Sequence, residues 1–326
     1  MGQSFDFSAL PVVGRADVQE ALRSAVGSAL DGRGRTLLLR GEAGTGKSHF
    51  TRHLLAEAEG RGFALAAGRA YRAESGVPYA LLSDAFLPLV RKQSQDTLTV
   101  LCRGGAPELQ HLFPGLLFDG EGRAHTDAES PGDQQARVLW TFVEFLQGLS
   151  RRTPLCIVME DLQWADPSSL KGIHFLTRHL SDARVLVLLT RGEMGGEPET
   201  TLLEVERSLL TGNVAVDLQL RPFDRRETGL FLTEAFGVGE DIAGPFADHL
   251  HQLTRGNPFF LQEILQSLIR SGALYRKGAA WLGWDTRTLE LPRTVKEAAL
   301  ESLGRLPSKP RQLAELTATL GTGAPF

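Results

Sequence analysis

Cysteine is scarce in this chain, with Cys102 and Cys156 the only two among 326 residues. Two cysteines so far apart offer neither a disulfide framework nor the close spacing of a zinc site, and they fit a reduced, cytoplasmic setting. The eight histidines likewise form no metal-ligand pattern. No apolar run approaches the ~20 residues needed to cross a bilayer. The opening MGQSFDFSAL lacks both the basic start and the apolar core of a signal peptide. A soluble chain with no membrane partner is therefore expected.

Excess positive charge is also missing. Lys and Arg total 35 against 39 Asp and Glu, a formal charge of −4 and a pI near 6.1. Binding to a phosphate backbone requires clustered cations, so no direct nucleic-acid binding is expected of this segment. The hydrophobic share of 42% and charged share of 23% exclude a chain dominated by disorder. The length suits roughly two domains on a prior of about 150 residues each.

Against these absences stands the run GEAGTGKS, made of Gly41, Glu42, Ala43, Gly44, Thr45, Gly46, Lys47 and Ser48. It fits the phosphate-binding pattern GxxxxGK[ST], follows the apolar stretch Thr36 to Leu39 and precedes a helix-period stretch from His49. The expected frame is strand, loop, helix. Gly41, Gly44 and Gly46 allow the backbone to curl its N–H groups around an anion, and the helix N-terminus adds a partial positive charge. Lys47 is expected to bridge the β- and γ-phosphates, and Ser48 to ligate Mg²⁺. A pair of unit charges at about 4 Å and an effective dielectric near 20 attracts by roughly 4 kcal/mol, which makes Lys47 the residue whose loss should hurt binding most. His49 adjoins Ser48 and is a further candidate for nucleotide contact.

A metal-bound phosphate also needs carboxylates at the end of a neighbouring strand. The segment LCIVMEDLQWAD supplies them: an apolar strand from Leu155 to Met159, then Glu160 and Asp161. Glu160 is assigned to Mg²⁺ and Asp161 to water activation, although the two roles can be exchanged. Glu160 reaches one methylene further than the Asp more usual at the first position.

Periodicity outlines the rest. A helix with apolar positions Val18, Leu22, Val26 and Leu30 precedes the first strand. Further strands are expected at Phe63 to Ala67, Val185 to Leu189 and Val214 to Leu218. Near-continuous apolar strands of this kind belong to a parallel sheet with both faces covered by helices. Helices are expected at Tyr79 to Arg91 and Gln134 to Ser150, around a Gly- and Pro-containing stretch whose polar tract, Asp119 to Gly132, is expected to be mobile. Trp140, Phe142 and Phe145 on the second of these helices read as packing residues. A helical region follows Leu220 to Thr228, with a helix bounded by Gly256, Asn257 and Pro258 running over Phe259 to Ser271. The domain reading is a tail at 1–10, an α/β P-loop NTPase domain at 11–222 with a helical insertion at 71–154, a helical lid at 223–290, and the truncated start of a winged helix at 291–326.

PVVGR at Pro11 to Arg15, GEAGTGKS, MEDLQWADPSSL, VLVLLTRGE and TRGNPFFLQEIL occur in an order that resembles the signal-transduction ATPases with numerous domains. More narrowly, the chain is similar to the ATPase modules of large LuxR-type transcription regulators and multidomain nucleotide cyclases. The resemblance implies that Val13, Gly14 and Arg15 lie beside the adenine and ribose, although Ala16 replaces the acidic residue that often follows. It implies that Arg191, which also follows an apolar run directly, detects the γ-phosphate. It implies that Asn257 and Pro258 join the lid to the nucleotide, where the residues alone indicate a simple turn before a helix.

The function so implied is a slow, Mg²⁺-dependent ATPase switch that binds ATP or ADP, with self-association or a protein partner in prospect. A lid that meets ATP and ADP unequally would turn hydrolysis into a shift of populations. A nucleotide-binding scaffold that never hydrolyses and a kinase for a small acceptor stay open. So does a ring-forming ATPase with a cross-subunit arginine, for which Arg151, Arg152 or Arg178 are available.

Overall fold

The structure is a computed structural model and describes residues 5–7, 10–103, 106–114, 131–193, 200–278 and 280–284. The predicted winged-helix start at 291–326 and nearly all of the polar tract at 119–132 lie outside these residues.

Five strands form one parallel sheet: β1 (Arg35–Gly41), β2 (Ala64–Arg69), β3 (Leu155–Glu160), β4 (Val185–Gly192) and β5 (Ala215–Gln219). Their spatial order is β2-β3-β4-β1-β5. The chain therefore places β4 between the strand that leads into the glycine loop and the strand that ends in the acidic pair. The register aligns Gly41 with Gly192 and Arg69 with Glu160, so the ends of four strands meet at one carboxyl edge. Open parallel sheets bind ligands at that edge, in the crevice that opens where connections from neighbouring strands leave to opposite faces.

The strands are apolar on both faces, as burial on two sides demands. In β3, Leu155, Ile157 and Met159 join the core cluster on one face, while Cys156 and Val158, pointing the other way, are equally buried. The helices that cover the sheet are α1 (Ala16–Leu30), α2 (Lys47–Gly60), α3 (Ala80–Arg91), α4 (Gln95–Leu101), α5 (Pro131–Arg152), α6 (Pro167–His179) and α7 (Thr200–Thr211). The helix α3 presses directly on β2. A Cβ on Gly68 would lie 2.6 Å from the backbone nitrogen of Ala85, so only glycine fits there. On α5, Phe142 and Phe145 are fully buried, and Phe142 meets Phe86 edge-on at 4.8 Å. Trp140 departs from its predicted packing role. Half of it is exposed, with its ring edge against Phe175 at 5.1 Å and His179 at 4.5 Å.

Among the described residues, contacts divide the chain into two compact units, one drawn from Arg15–Ala43 and Lys47–Leu220, the other from Met1–Gly14, Gly44–Gly46 and Arg221–Phe326. The second is built on α8 (Arg225–Phe236), α9 (Glu240–Thr254), α10 (Pro258–Ser271) and a hairpin of β6 (Tyr275–Lys277) and β7 (Ala280–Leu282). Its core gathers Phe231, Leu232, Phe246, Leu250, Leu261 and Leu265, and Phe7 joins it from the N-terminal segment. A capping box starts α8, with Asp224 accepting from the Glu227 N–H and Glu227 accepting from the Asp224 N–H. The helix closes on Gly237 in the left-handed region, at φ 65°.

Candidate functional site at the carboxyl edge

The loop from Gly41 to Gly46 leaves β1 and enters α2 without a break. Only two of its three glycines need their freedom: Gly44 has φ 80° and Gly46 φ 99°. Gly41 closes β1 opposite Gly192 in ordinary strand geometry. Lys47 is the first residue of α2, and its Nζ donates to the carbonyls of Gly41 at 2.8 Å and Glu42 at 2.9 Å. Burial pushes its pKa down, and the charges of Asp161, Glu193 and Glu160 oppose that shift. The ammonium is thus part-buried, held by neutral carbonyls and surrounded by carboxylates.

Ser48 sits one residue on. Its Oγ donates to Glu160 Oε2 at 2.7 Å, which joins the phosphate-loop helix to the tip of β3. Glu160 is the last residue of β3, and Asp161 turns into the left-handed region with φ 62°. Such a conformation is costly for a side-chain-bearing residue and needs outside support. Three bonds provide it. The Asp161 N–H donates to Thr190 Oγ1 at 3.0 Å, Gln163 Nε2 donates to Asp161 Oδ1 at 3.2 Å, and the Gly192 N–H donates to Gln163 Oε1 at 2.8 Å. The end of β4 therefore sets the direction of Asp161.

The donor set suits a hard cation. A hydroxyl and a carboxylate converge within hydrogen-bond distance, with a second carboxylate alongside, and oxygen ligands of this type favour Mg²⁺. Among the described residues no three His, Cys, Asp or Glu side chains gather as a cage. Both thiols are buried and pushed up to about 12, so neither offers a thiolate at neutral pH.

Arg191 extends from β4 to pair with Glu206 on α7 at 2.7 Å, both side chains being mostly buried. Burial pushes the Glu206 pKa up, against the pull of Arg191. His49 is half-buried and stacks edge-on with His53 at 4.6 Å. Arg15 is buried with its guanidinium 5.8 Å from the centre of the Phe50 ring. Gly14 and Arg15 both have positive φ, at 64° and 55°. Val13 belongs to the core of the second unit. Asn257 caps α10 by accepting from the Phe259 N–H at 3.1 Å, and Pro258 occupies its first turn. Within that unit the Phe259 N–H also donates to the Gly44 carbonyl at 3.1 Å.

Four residues of this constellation escape the motif reading: Arg69, Thr190, Gln163 and Asp84. Arg69 ends β2 beside Glu160, with its N–H donating to Asp84 Oδ2 at 3.0 Å. The cue that singles out Arg191, an arginine at the end of an apolar strand, applies equally to Arg69. Thr190 and Gln163 carry no local signal, because their roles depend on the pairing of β3 beside β4.

A family model described as the AAA ATPase domain matches residues 11–188. No curated protein matches the chain. Among solved structures, the Aeropyrum pernix ORC1 protein in complex with DNA is 16% identical, over 98% of this chain and 75% of that one, at a TM-score of 0.46. The Aeropyrum pernix ORC2 protein, solved as ADPNP-ADP complexes, is 13% identical over 93% and 74%, at 0.45. CDC6P from Pyrobaculum aerophilum is 18% identical over 82% and 65%, also at 0.45.

Proposed function

The chain belongs to the AAA ATPase domain family, and from that premise we propose that it binds ATP with Mg²⁺ at the loop Gly41 to Ser48 and hydrolyses it slowly. The observation that carries this reading is the 2.7 Å bond from Ser48 Oγ to Glu160 Oε2, which brings the loop and the acidic strand tip to one point.

In this reading Lys47 leaves its carbonyl partners to pair with the β- and γ-phosphates, and the N-terminus of α2 faces the same charge. Ser48 and Glu160 would hold Mg²⁺, which would supply neutralisation of the charge that develops on the phosphates. Asp161 orients and polarises the attacking water, its backbone fixed by Thr190 and its carboxylate by Gln163. Arg191 answers to the γ-phosphate and exchanges some of its pairing with Glu206 to do so.

The motif order supports a wider role as the regulatory ATPase part of a transcription regulator or signalling protein, working in the cytoplasm with a protein partner or further copies of itself. Among the described residues no helix is long and apolar enough to cross a membrane.

The test is a phosphate-release time course with Mg-ATP. Asp161→Asn is expected to bind nucleotide as the wild type does and to lose hydrolysis by about a hundredfold or more, the usual weight of a positioned general base. Equal release from both proteins would remove the enzymatic half of the proposal. Glu160, longer than the more usual Asp, favours a second reading in which nucleotide is bound and never cleaved, and the wild-type time course alone separates the two.

A further inference from the structure

We propose that Arg69 is a built-in counter-cation of the metal site, which ties Ser48, Glu160 and Asp161 together and is displaced by the Mg²⁺ that arrives with a nucleotide. The inference rests on the nucleotide-binding reading above and adds a competitor to it. Arg69 Nη2 lies 2.9 Å from Ser48 Oγ and 3.0 Å from Glu160 Oε2, while its Nε lies 3.4 Å from Asp161 Oδ2. The guanidinium therefore spans the oxygens that a hard dication would take, and the two cations cannot share them.

The position of Arg69 is fixed by the fold. Parallel pairing of β2 with β3 sets Arg69 opposite Glu160, and its backbone N–H is pinned by Asp84 on α3. The preceding Gly68 has no room for a side chain against Ala85, so this strand end is locked to α3. Burial works against the charge on Arg69, but the hydrogen bond and charge of Glu160, with the charge of Asp161, outweigh it and raise its pKa. The side chain thus carries its charge throughout the physiological range.

Two effects follow from this placement. Without nucleotide, one guanidinium sits against two adjacent carboxylates and offsets part of their repulsion. Free Mg²⁺, which dehydrates reluctantly, finds its ligands already taken. A nucleotide-borne Mg²⁺ arrives partly dehydrated, with phosphate oxygens already in its shell, and so displaces the arginine where the free ion does not.

The experiment titrates MgCl₂ into the full chain saturated with a fluorescent ADP analogue, for wild type, Arg69→Ala, Arg69→Met and Arg72→Ala. Arg72 stacks on Trp164 at 5.3 Å and controls for the loss of a nearby charge. The Mg²⁺ midpoint is expected to fall about fivefold in both Arg69 variants, the scale of a few part-exposed charge contacts, and to stay unchanged in Arg72→Ala. In ¹⁵N spectra of the wild type, the Arg69 Nε–H signal, assigned by its loss in the variants, is expected to shift with Mg-ADP and not with MgCl₂ alone. An unmoved or raised midpoint, an equal fall in Arg72→Ala, or an Arg69 signal indifferent to Mg-ADP would overturn the proposal while nucleotide binding stands. Failure of the wild type to take up the analogue would overturn both readings together.

Discussion

In the proposed reading Asp161 is the residue on which hydrolysis would turn, and its backbone holds a conformation that a side-chain-bearing residue does not favour. At φ 62° it depends on Thr190 accepting its N–H and on Gln163 accepting from Gly192 while donating to its carboxylate. Thr190→Val keeps the shape and removes the acceptor, leaving an N–H without its partner at a cost of about 1–3 kcal/mol if the conformation is retained. That cost falls on the placement of Asp161. Nucleotide affinity should stay within about twofold of wild type, while kcat should drop about tenfold. Binding titrations beside steady-state phosphate release measure the split, and a matched loss of affinity would assign Thr190 to binding instead. The neighbouring residues divide in how far sequence reveals them. Lys47, Ser48, Glu160 and Asp161 are legible because short motifs fix both their types and their spacing. Thr190 and Gln163 are not, because each acts across a strand pairing between segments far apart in the chain, and Arg69 carries only the cue of an arginine closing an apolar strand.

The elements themselves were mostly written in their periodicity. The strand expected at Leu155 to Met159 is β3, one residue longer, and the helix expected at Tyr79 to Arg91 is α3, beginning at Ala80. Of the apolar stripe Val18, Leu22, Val26 and Leu30, the first three are buried as their spacing implies, and Leu30 at the helix end is half-buried. Short elements were harder to read. The seven residues of α4 and the three-residue strands β6 and β7 are too brief to show a period, and packing decides them. Trp140 shows the limit of reasoning by residue type, since a large aromatic on a packed helix still turned to the surface. Its neighbour Phe142 did not. That ring is fully buried against Phe86, Phe113 and Phe145, so Phe142→Ala should cost about 3–5 kcal/mol. Denaturant unfolding followed by circular dichroism checks this, and a loss below about 1 kcal/mol would show that the cluster relaxes to fill the space.

At the scale of the whole molecule, sheet order does what no single motif can. Placing β4 between β1 and β3 brings the glycine loop, the acidic pair and the Thr190 support to one edge, although their residues are spread from Gly41 to Gly192 in sequence. The parallel sheet with helices on both faces was legible from the apolar strands. The strand order was not, because every parallel arrangement of these strands satisfies the same burial pattern. The central claim is that this edge grips a Mg-nucleotide through Lys47 and the loop around it. Isothermal calorimetry of Mg-ATP with the intact wild-type chain and with Lys47→Ala tests it most directly. The account predicts saturable one-site binding by the wild type and at least about a hundredfold weaker binding by the variant, as loss of a part-buried charge pair to phosphate implies. No heat of binding in the folded wild type, or equal affinity in both proteins, would contradict it.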